Sequence, residues 1–320
     1  MNPLASARAR GALLAGCAAA VSGVSVLLNS HAVRDFPDAA SYTTAKNAIA
    51  AVLLALGALA LRGSPRRGSG TRRAPRRWTP GEWLGLAYVG LIGGGVAFVL
   101  FFTGLQRTSA VPAAFLHDTL ILWVALAGVP LLGERLSAAN LGALGALLIG
   151  EVALSGGVGG LHPNVGNLLV LAATLLWAGE VIIAKVLLRS VPAARLATAR
   201  MGIGLIALLA YLAARGDLGS LTRFDARQIG WILATGALLG AYVASWFGAL
   251  AAARAVDVTS VLVTSVAITA VLQAALGTLA PSAAELVGIA LIAIGAAVVA
   301  LRWPRTTSDE HGGAMSTAAR

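Results

Sequence analysis

Apolar residues come in long blocks along this chain, and the charged residues are mostly confined to the gaps between them. Five stretches carry no Asp, Glu, Lys or Arg: 11–33, 83–106, 152–179, 228–253 and 258–284. Shorter clean runs follow Asn47, Thr119, Leu136, Met201 and Leu286. About 20 apolar residues rising 1.5 Å each cross a hydrocarbon core of roughly 30 Å. The pattern therefore predicts ten spans, at about 11–30, 37–61, 81–103, 109–131, 137–155, 166–188, 192–214, 227–250, 257–279 and 283–302. Backbone groups in lipid must be satisfied within a helix or a closed barrel, and barrel-type alternation is absent, so the spans are predicted helices. The expected fold class is an all-α polytopic membrane protein.

Composition agrees with this pattern. Hydrophobic residues make up 58% and charged residues 12% of the 320, against about 25% charged in an ordinary soluble domain. Mean hydropathy is +0.83. Arg8 and Arg10 before the first block give it the outline of a secretory signal. The block runs on to about Leu28, longer than a usual signal core, and is read as a retained first helix. Cys17 is the only cysteine, so neither a disulfide framework nor a cysteine metal site is available.

The net charge of +11 invites a nucleic-acid reading until the charges are located. Seven arginines crowd the connection between Arg62 and Arg77 among Gly, Ser and Pro. With the N-terminus inside, sixteen Lys and Arg fall on inside segments, five on outside ones, and Lys46, Lys185 and Arg200 within spans. Short cytoplasmic loops are enriched in these residues, so both termini are expected in the cytoplasm, with the protein in the cytoplasmic membrane. Basic loops beside anionic headgroups serve orientation, and no nucleic-acid partner is expected.

An internal repeat is present. Residues Gly104 to Val111 find an echo in Ala249 to Val256, an offset of 145, and Leu147 to Gly150 in Leu291 to Gly295. Pro37 with Lys46 resembles Pro192 with Arg200 at an offset of about 154. Each half holds five helices; five is odd, so the second half enters the membrane from the opposite side, the inverted plan of many secondary transporters. The expected divisions are a cytoplasmic N-terminus at 1–10, a first repeat at 11–156 with a basic loop at 62–80, an outside linker at 157–165, a second repeat at 166–302 and a cytoplasmic tail at 303–320.

These residues carry a family resemblance. The segment TSAVPAAFLHDTLILWVALAGVPLLGERLSAANLGALGALLIG, from Thr108 to Gly150, resembles the fourth and fifth helices of an EamA-type repeat of the drug/metabolite transporter superfamily. Its marks are the T-S-A entry, the L-G-E-R exit at Leu132 to Arg135, and a glycine-rich fifth helix. Trp177-Ala178, Lys185, Pro192 and Arg200 resemble the opening two helices of the second repeat. The second repeat departs where Leu279-Ala280-Pro281-Ser282 replaces L-G-E-R. The resemblance implies a carrier of small metabolites or drug-like solutes, including export of amino acids or related amphipathic compounds, through a cavity between the two repeats.

Ionisable groups within spans are functional candidates whatever the family, because each is costly in hydrocarbon unless paired or hydrated. Lys46 and Asp118 each lie about nine residues from the outer end of their spans, roughly 14 Å deep. Both are expected to face the cavity, as a pair for a substrate carboxylate and amine, as a mutual ion pair, or as a structural salt bridge. Glu180 and Arg200 lie ten residues either side of a turn at Ser190, hence at equal depth, and are expected to pair. Glu180 is also the candidate proton carrier, with protons as a candidate coupling ion. Lys185, nearer the cytoplasm, is expected to snorkel to headgroups.

His117 beside Asp118 and the deep Trp123, Trp177 and Trp246 complete the cavity candidates, with ordinary packing as the alternative for the tryptophans. Trp78, Trp83, Trp231 and Trp303 suit the interfacial belt. Thr79 to Glu82 and Ser282 to Glu285 read as capping boxes, Asp257 as a helix-start acid, and Glu134 with Arg135 as a turn holder. Glu151, near a span end, is a minor candidate. Gly90, Gly93, Gly94 and Gly95 are expected to give local flexibility or close packing.

His31, His117, His162 and His311 are too scattered to compel a metal site, and no cofactor is expected. An intramembrane enzyme needs a nucleophile with a base, or a metal cluster, and no HExxH, GxSxG or phosphate loop is found. A channel needs a filter or pore ring, which is not evident. A small-molecule carrier working by alternating access is the expected function.

Overall fold

The structure, a computed structural model, describes residues 3–63, 78–108, 110–134, 136, 138–154, 164–276 and 282–301. The arginine-rich stretch 64–77, Arg135, most of the linker at 157–165, His162, the Leu279 to Pro281 exit, the tail at 303–320 with Trp303 and His311, and the side chains of Glu151 and Glu285 lie outside it. Among the described residues the fold is all-helical. The helices are α1 (Pro3–Ala32), α2 (Ala39–Gly63), α3 (Pro80–Ala87), α4 (Ala97–Arg107), α5 (Ala110–Asp118), α6 (Leu120–Leu132), α7 (Ala138–Leu154), α8 (Val165–Leu187), α9 (Ala193–Ala214), α10 (Ala226–Ala252), α11 (Ala255–Leu262), α12 (Thr264–Ala275) and α13 (Ala283–Leu301). A π-helical stretch, Tyr88–Val96, joins α3 to α4.

Eight described segments are long and apolar enough to cross a membrane: Ala9–Asp35, Ala39–Ala60, Pro80–Arg107, Phe115–Leu132, Val165–Leu187, Ala193–Ala214, Ala226–Ala252 and Ala255–Ala275. The expected fifth and tenth spans fall on α7 and α13, which are outside these eight and pack against each other. Side-chain distribution fits immersion in lipid. Leu84, Leu126 and Ile206 are among many large apolar residues on the exterior, while Lys46, Asp118, Glu180 and Arg200 are buried. That distribution inverts what water selects.

Local chemistry sets the helix ends. Thr79 Oγ1 accepts from Glu82 N–H and the Glu82 carboxylate accepts from Thr79 N–H, forming the expected capping box at α3. Asp225 and Gln228 make the same reciprocal pair at α10. Asn164 Oδ1 caps α8 by accepting from Asn167 N–H at 2.8 Å. The fourth helix of each half is interrupted, at Thr119 between α5 and α6 and at Val263 between α11 and α12.

The packing repeats when the halves are exchanged. α1 packs on α10 as α8 packs on α4, and α1 on α12 as α8 on α6. The α2–α10 contact matches that of α9 with the π-helical stretch, while α2–α9 and α7–α13 map onto themselves. Glycines set the closest of these approaches. A Cβ at Gly94 would lie 2.7 Å from the Arg200 carbonyl oxygen, and one at Gly236 would lie 2.7 Å from Ile49 Cβ. Gly81, by contrast, faces no such neighbour.

Candidate substrate cavity

Where the halves meet, an interior cavity of about 110 Å³ is walled by α1, α2, α4, α5 and α6 from the first half and α8, α9 and α10 from the second. Of the residues singled out in the sequence, Lys46, His117, Trp177, Glu180, Arg200 and Trp246 line it. Asp118 and Trp123 are not among the lining residues.

Glu180 on α8 and Arg200 on α9 form a bidentate ion pair. Arg200 Nε donates to Glu180 Oε1, and its terminal nitrogen donates to Oε2 at 3.0 Å. That nitrogen also donates to the Gly93 carbonyl at 3.1 Å, and Trp177 Nε1 donates to the same oxygen at 2.9 Å. The π-helical stretch shifts its backbone bonds to i→i−5, as from Ala97 N–H to the Ile92 carbonyl, and such turns are frequent at functional sites. Gly93 has no side chain because a Cβ there would collide with the Glu180 carboxylate. Glu180, the candidate proton carrier, therefore has both oxygens engaged by one guanidinium.

Lys46 on α2 is 2% exposed. Its Nζ donates to Asn29 Oδ1 on α1 at 2.8 Å and lies 3.7 Å from the centre of the Phe102 ring, with Tyr42 and Phe98 at 5.3 and 5.9 Å. Of the two residues expected to face the cavity together, Lys46 lines it and Asp118 does not, and the two do not pair. Asp118 ends α5 at the Thr119 break, Oδ1 accepts from or pairs with His117 Nδ1 at 3.1 Å, and Ser265 of α12 lies beside it. Equal depth did not give equal azimuth. Trp123 is corrected for a similar reason, since its Nε1 donates to Thr119 Oγ1 one turn back instead of facing the cavity.

Aromatic rings make the apolar walls. Phe101 and His117 each contact Trp177 edge-on or tilted, with centroids 5.3 and 5.4 Å apart, and Tyr242 stacks on Trp246 at 5.9 Å. The sequence reading missed Asn29, Tyr42, Tyr242 and the phenylalanines. Tyr42 sits one turn before Lys46, and Phe98, Phe101 and Phe102 share a face by their three- and four-residue spacing, which were the available signals.

A family model for the EamA-like transporter family matches residues 9–156 and again 164–301. The chain belongs to the EamA-like transporter family. Members of this EamA family, within the drug/metabolite transporter superfamily, are membrane transporters and not enzymes, so the protein is a multi-pass membrane protein of that type. One solved structure, described only as "Crystal structure of protein", is 20% identical, with a TM-score of 0.69 over 93% of this chain and 99% of that one. At that identity the likeness shows the fold alone. No curated protein matches the chain by sequence.

One further contact joins the halves of this EamA chain away from the cavity, and a second ties two helices within the second half. Gly133, at φ 68°, ends α6 in the left-handed region and turns Glu134 outward from its own helix. Glu134 Oε1 then accepts from Ala255 N–H at 2.7 Å and Oε2 from Val256 N–H at 3.1 Å, capping α11 in the opposite half. Glu134 thus holds a helix start across the interface, beyond the local turn expected of it. Lys185, expected to snorkel, instead donates to the Leu250 carbonyl at 2.6 Å and to that of Ala253, at the C-terminus of α10. Asp257 lies in the first turn of α11 and accepts from Arg254 at 2.7 and 2.9 Å. Among the described residues, no three His, Cys, Asp or Glu side chains converge as a metal site.

Proposed function

We propose that this protein carries a small solute across the cytoplasmic membrane by alternating access, with the cavity between the halves as the binding site. The observation that carries the proposal is a largely apolar cavity bearing a few buried charges, walled by helices of both halves, in a protein whose exterior is apolar. α7 and α13 complete ten spans in two inverted five-helix repeats, at 11–156 and 166–302. This reading is supported by the exchange symmetry of helix contacts and the twofold family match. The arginine bias puts both termini in the cytoplasm.

The Glu180–Arg200 pair is, in this reading, a fixed part of the wall. Proton coupling through Glu180 would require that pair to open during the cycle.

Counterflow of labelled small metabolites in proteoliposomes tests the proposal. Val243 lines the cavity, so Val243→Trp fills it, whereas Leu84→Trp alters only an exposed exterior position. The expected result is saturable counterflow that Val243→Trp abolishes and Leu84→Trp leaves intact, with both variants monodisperse. Undiminished counterflow in Val243→Trp would place the path elsewhere. Saturating flux without counterflow would favour a channel.

A further inference from the structure

Charge in the cavity wall is unevenly matched. Arg200 is neutralised by Glu180. Among the described residues no carboxylate reaches ion-pair distance of Lys46 Nζ, whose one protein acceptor is Asn29 Oδ1. The orientation of that amide is determined by its other end, because Asn29 Nδ2 donates to the Ser25 carbonyl at 2.6 Å and to Ser25 Oγ at 2.8 Å. Oδ1 must therefore face Lys46, and it shares its lone pairs with the Tyr42 hydroxyl at 2.5 Å.

An ammonium has three donors, and Asn29 takes one. The Phe102 face at 3.7 Å attracts the cation but brings no formal negative charge. A buried cation in such surroundings favours an anionic partner, and the cavity beside it is open to receive one.

We infer that Lys46 anchors a carboxylate on the transported solute, whose apolar body lies against Phe101, Trp177 and Trp246. This rests on the cavity being the transport site. The rest of the wall narrows the class further. A zwitterionic solute would need an acceptor for its ammonium at the wall, where Glu180 has both oxygens on Arg200; Asp118, whose Oδ1 bonds His117 and whose Oδ2 is without a hydrogen-bond partner, is off the wall. The site therefore favours a monocarboxylate without an amine. An apolar cavity of about 150 Å³ holds benzene, so about 110 Å³ suits a short-chain acid in this conformation.

The test compares propanoate, propanamide and alanine as ligands of the purified full-length protein, reading the saturable rise in thermal unfolding temperature. Propanoate is expected to stabilise, and the amide and zwitterion to do so far less. Lys46→Gln should weaken propanoate by roughly 10- to 100-fold, the loss of one charge-assisted hydrogen bond. The same variant should unfold no earlier than wild type without ligand, because it removes an unneutralised buried cation. Lys46→Arg should keep the preference for propanoate.

Equal stabilisation by the three ligands, or an unchanged propanoate preference in Lys46→Gln, overturns the inference. Counterflow indifferent to a carboxylate overturns it too, while leaving transport standing. Lys46-dependent propanoate binding with no solute movement overturns the transport reading and leaves the anchor standing.

Discussion

Breaking the Glu180–Arg200 pair from one side is the most informative perturbation of stability. The two side chains are 6% and 7% exposed, which puts the pair in the buried regime. Glu180→Leu removes both acceptors of the fork and strands a guanidinium whose remaining partners are the Gly93 carbonyl, Met201 Sδ at 3.3 Å and the Phe98 ring at 5.2 Å. Removing one partner of a buried pair costs about 3–5 kcal/mol. Arg200→Met should cost a similar amount by stranding the carboxylate. In the double variant Glu180→Leu/Arg200→Met neither charge remains, and the Gly93 carbonyl keeps Trp177 Nε1 as its donor. Its stability should return to within about 2 kcal/mol of wild type, because apolar replacement of a whole buried pair is often neutral. Thermal unfolding in detergent reads this as a loss of about 6–10 °C in each single variant, at about 2 °C per kcal/mol, largely recovered in the double. Single losses under about 1 kcal/mol that simply add would mean that water reaches the pair as it reaches a surface bridge, and would refute the reasoning.

Three other outcomes follow from the geometry. Gly94→Ala places a Cβ 2.7 Å from the Arg200 carbonyl oxygen and should cost about 1–3 kcal/mol in thermal unfolding; Gly57→Ala, which meets nothing within 4 Å, should be neutral or slightly stabilising. Glu134→Ala leaves the Ala255 and Val256 amides without their acceptor, so hydrogen exchange at the start of α11 should accelerate and stability fall by about 1–3 kcal/mol; unchanged exchange there would show that the cap is dispensable. Trp123→Phe should leave counterflow at wild-type level, since the indole bonds Thr119 away from the cavity, and a loss of flux with intact folding would return Trp123 to the site.

Depth in the membrane was legible in the sequence, and rotation about each helix axis was not. A fixed rise per residue put Glu180 and Arg200 level across the turn at Ser190, and a hairpin of two adjacent helices left them little choice of partner. Lys46 and Asp118 were also level, but they sit on helices that are not joined by a short turn. The break at Thr119 ends α5 at Asp118, and its carboxylate bonds His117 and not Lys46. The glycine cluster at 93–95 marked a place of close approach without revealing that the backbone there winds as a π-helix and offers the Gly93 carbonyl to two donors. Glu134 could be seen to stand at a helix exit; that it caps a helix 121 residues later depends on how the two halves pack.

The claim that both halves enclose one alternately opened cavity is tested most directly by accessibility of a single cysteine in its wall. With the exposed Cys17 replaced by Ser, Ala113→Cys puts one thiol on the α5 wall. The reagent is a membrane-impermeant maleimide, applied to right-side-out and to inside-out vesicles, with and without propanoate. The account predicts labelling from both sides, with propanoate raising the rate from one side as it lowers the rate from the other. Labelling from a single side under every condition, or rates that rise and fall together on both sides, would contradict it.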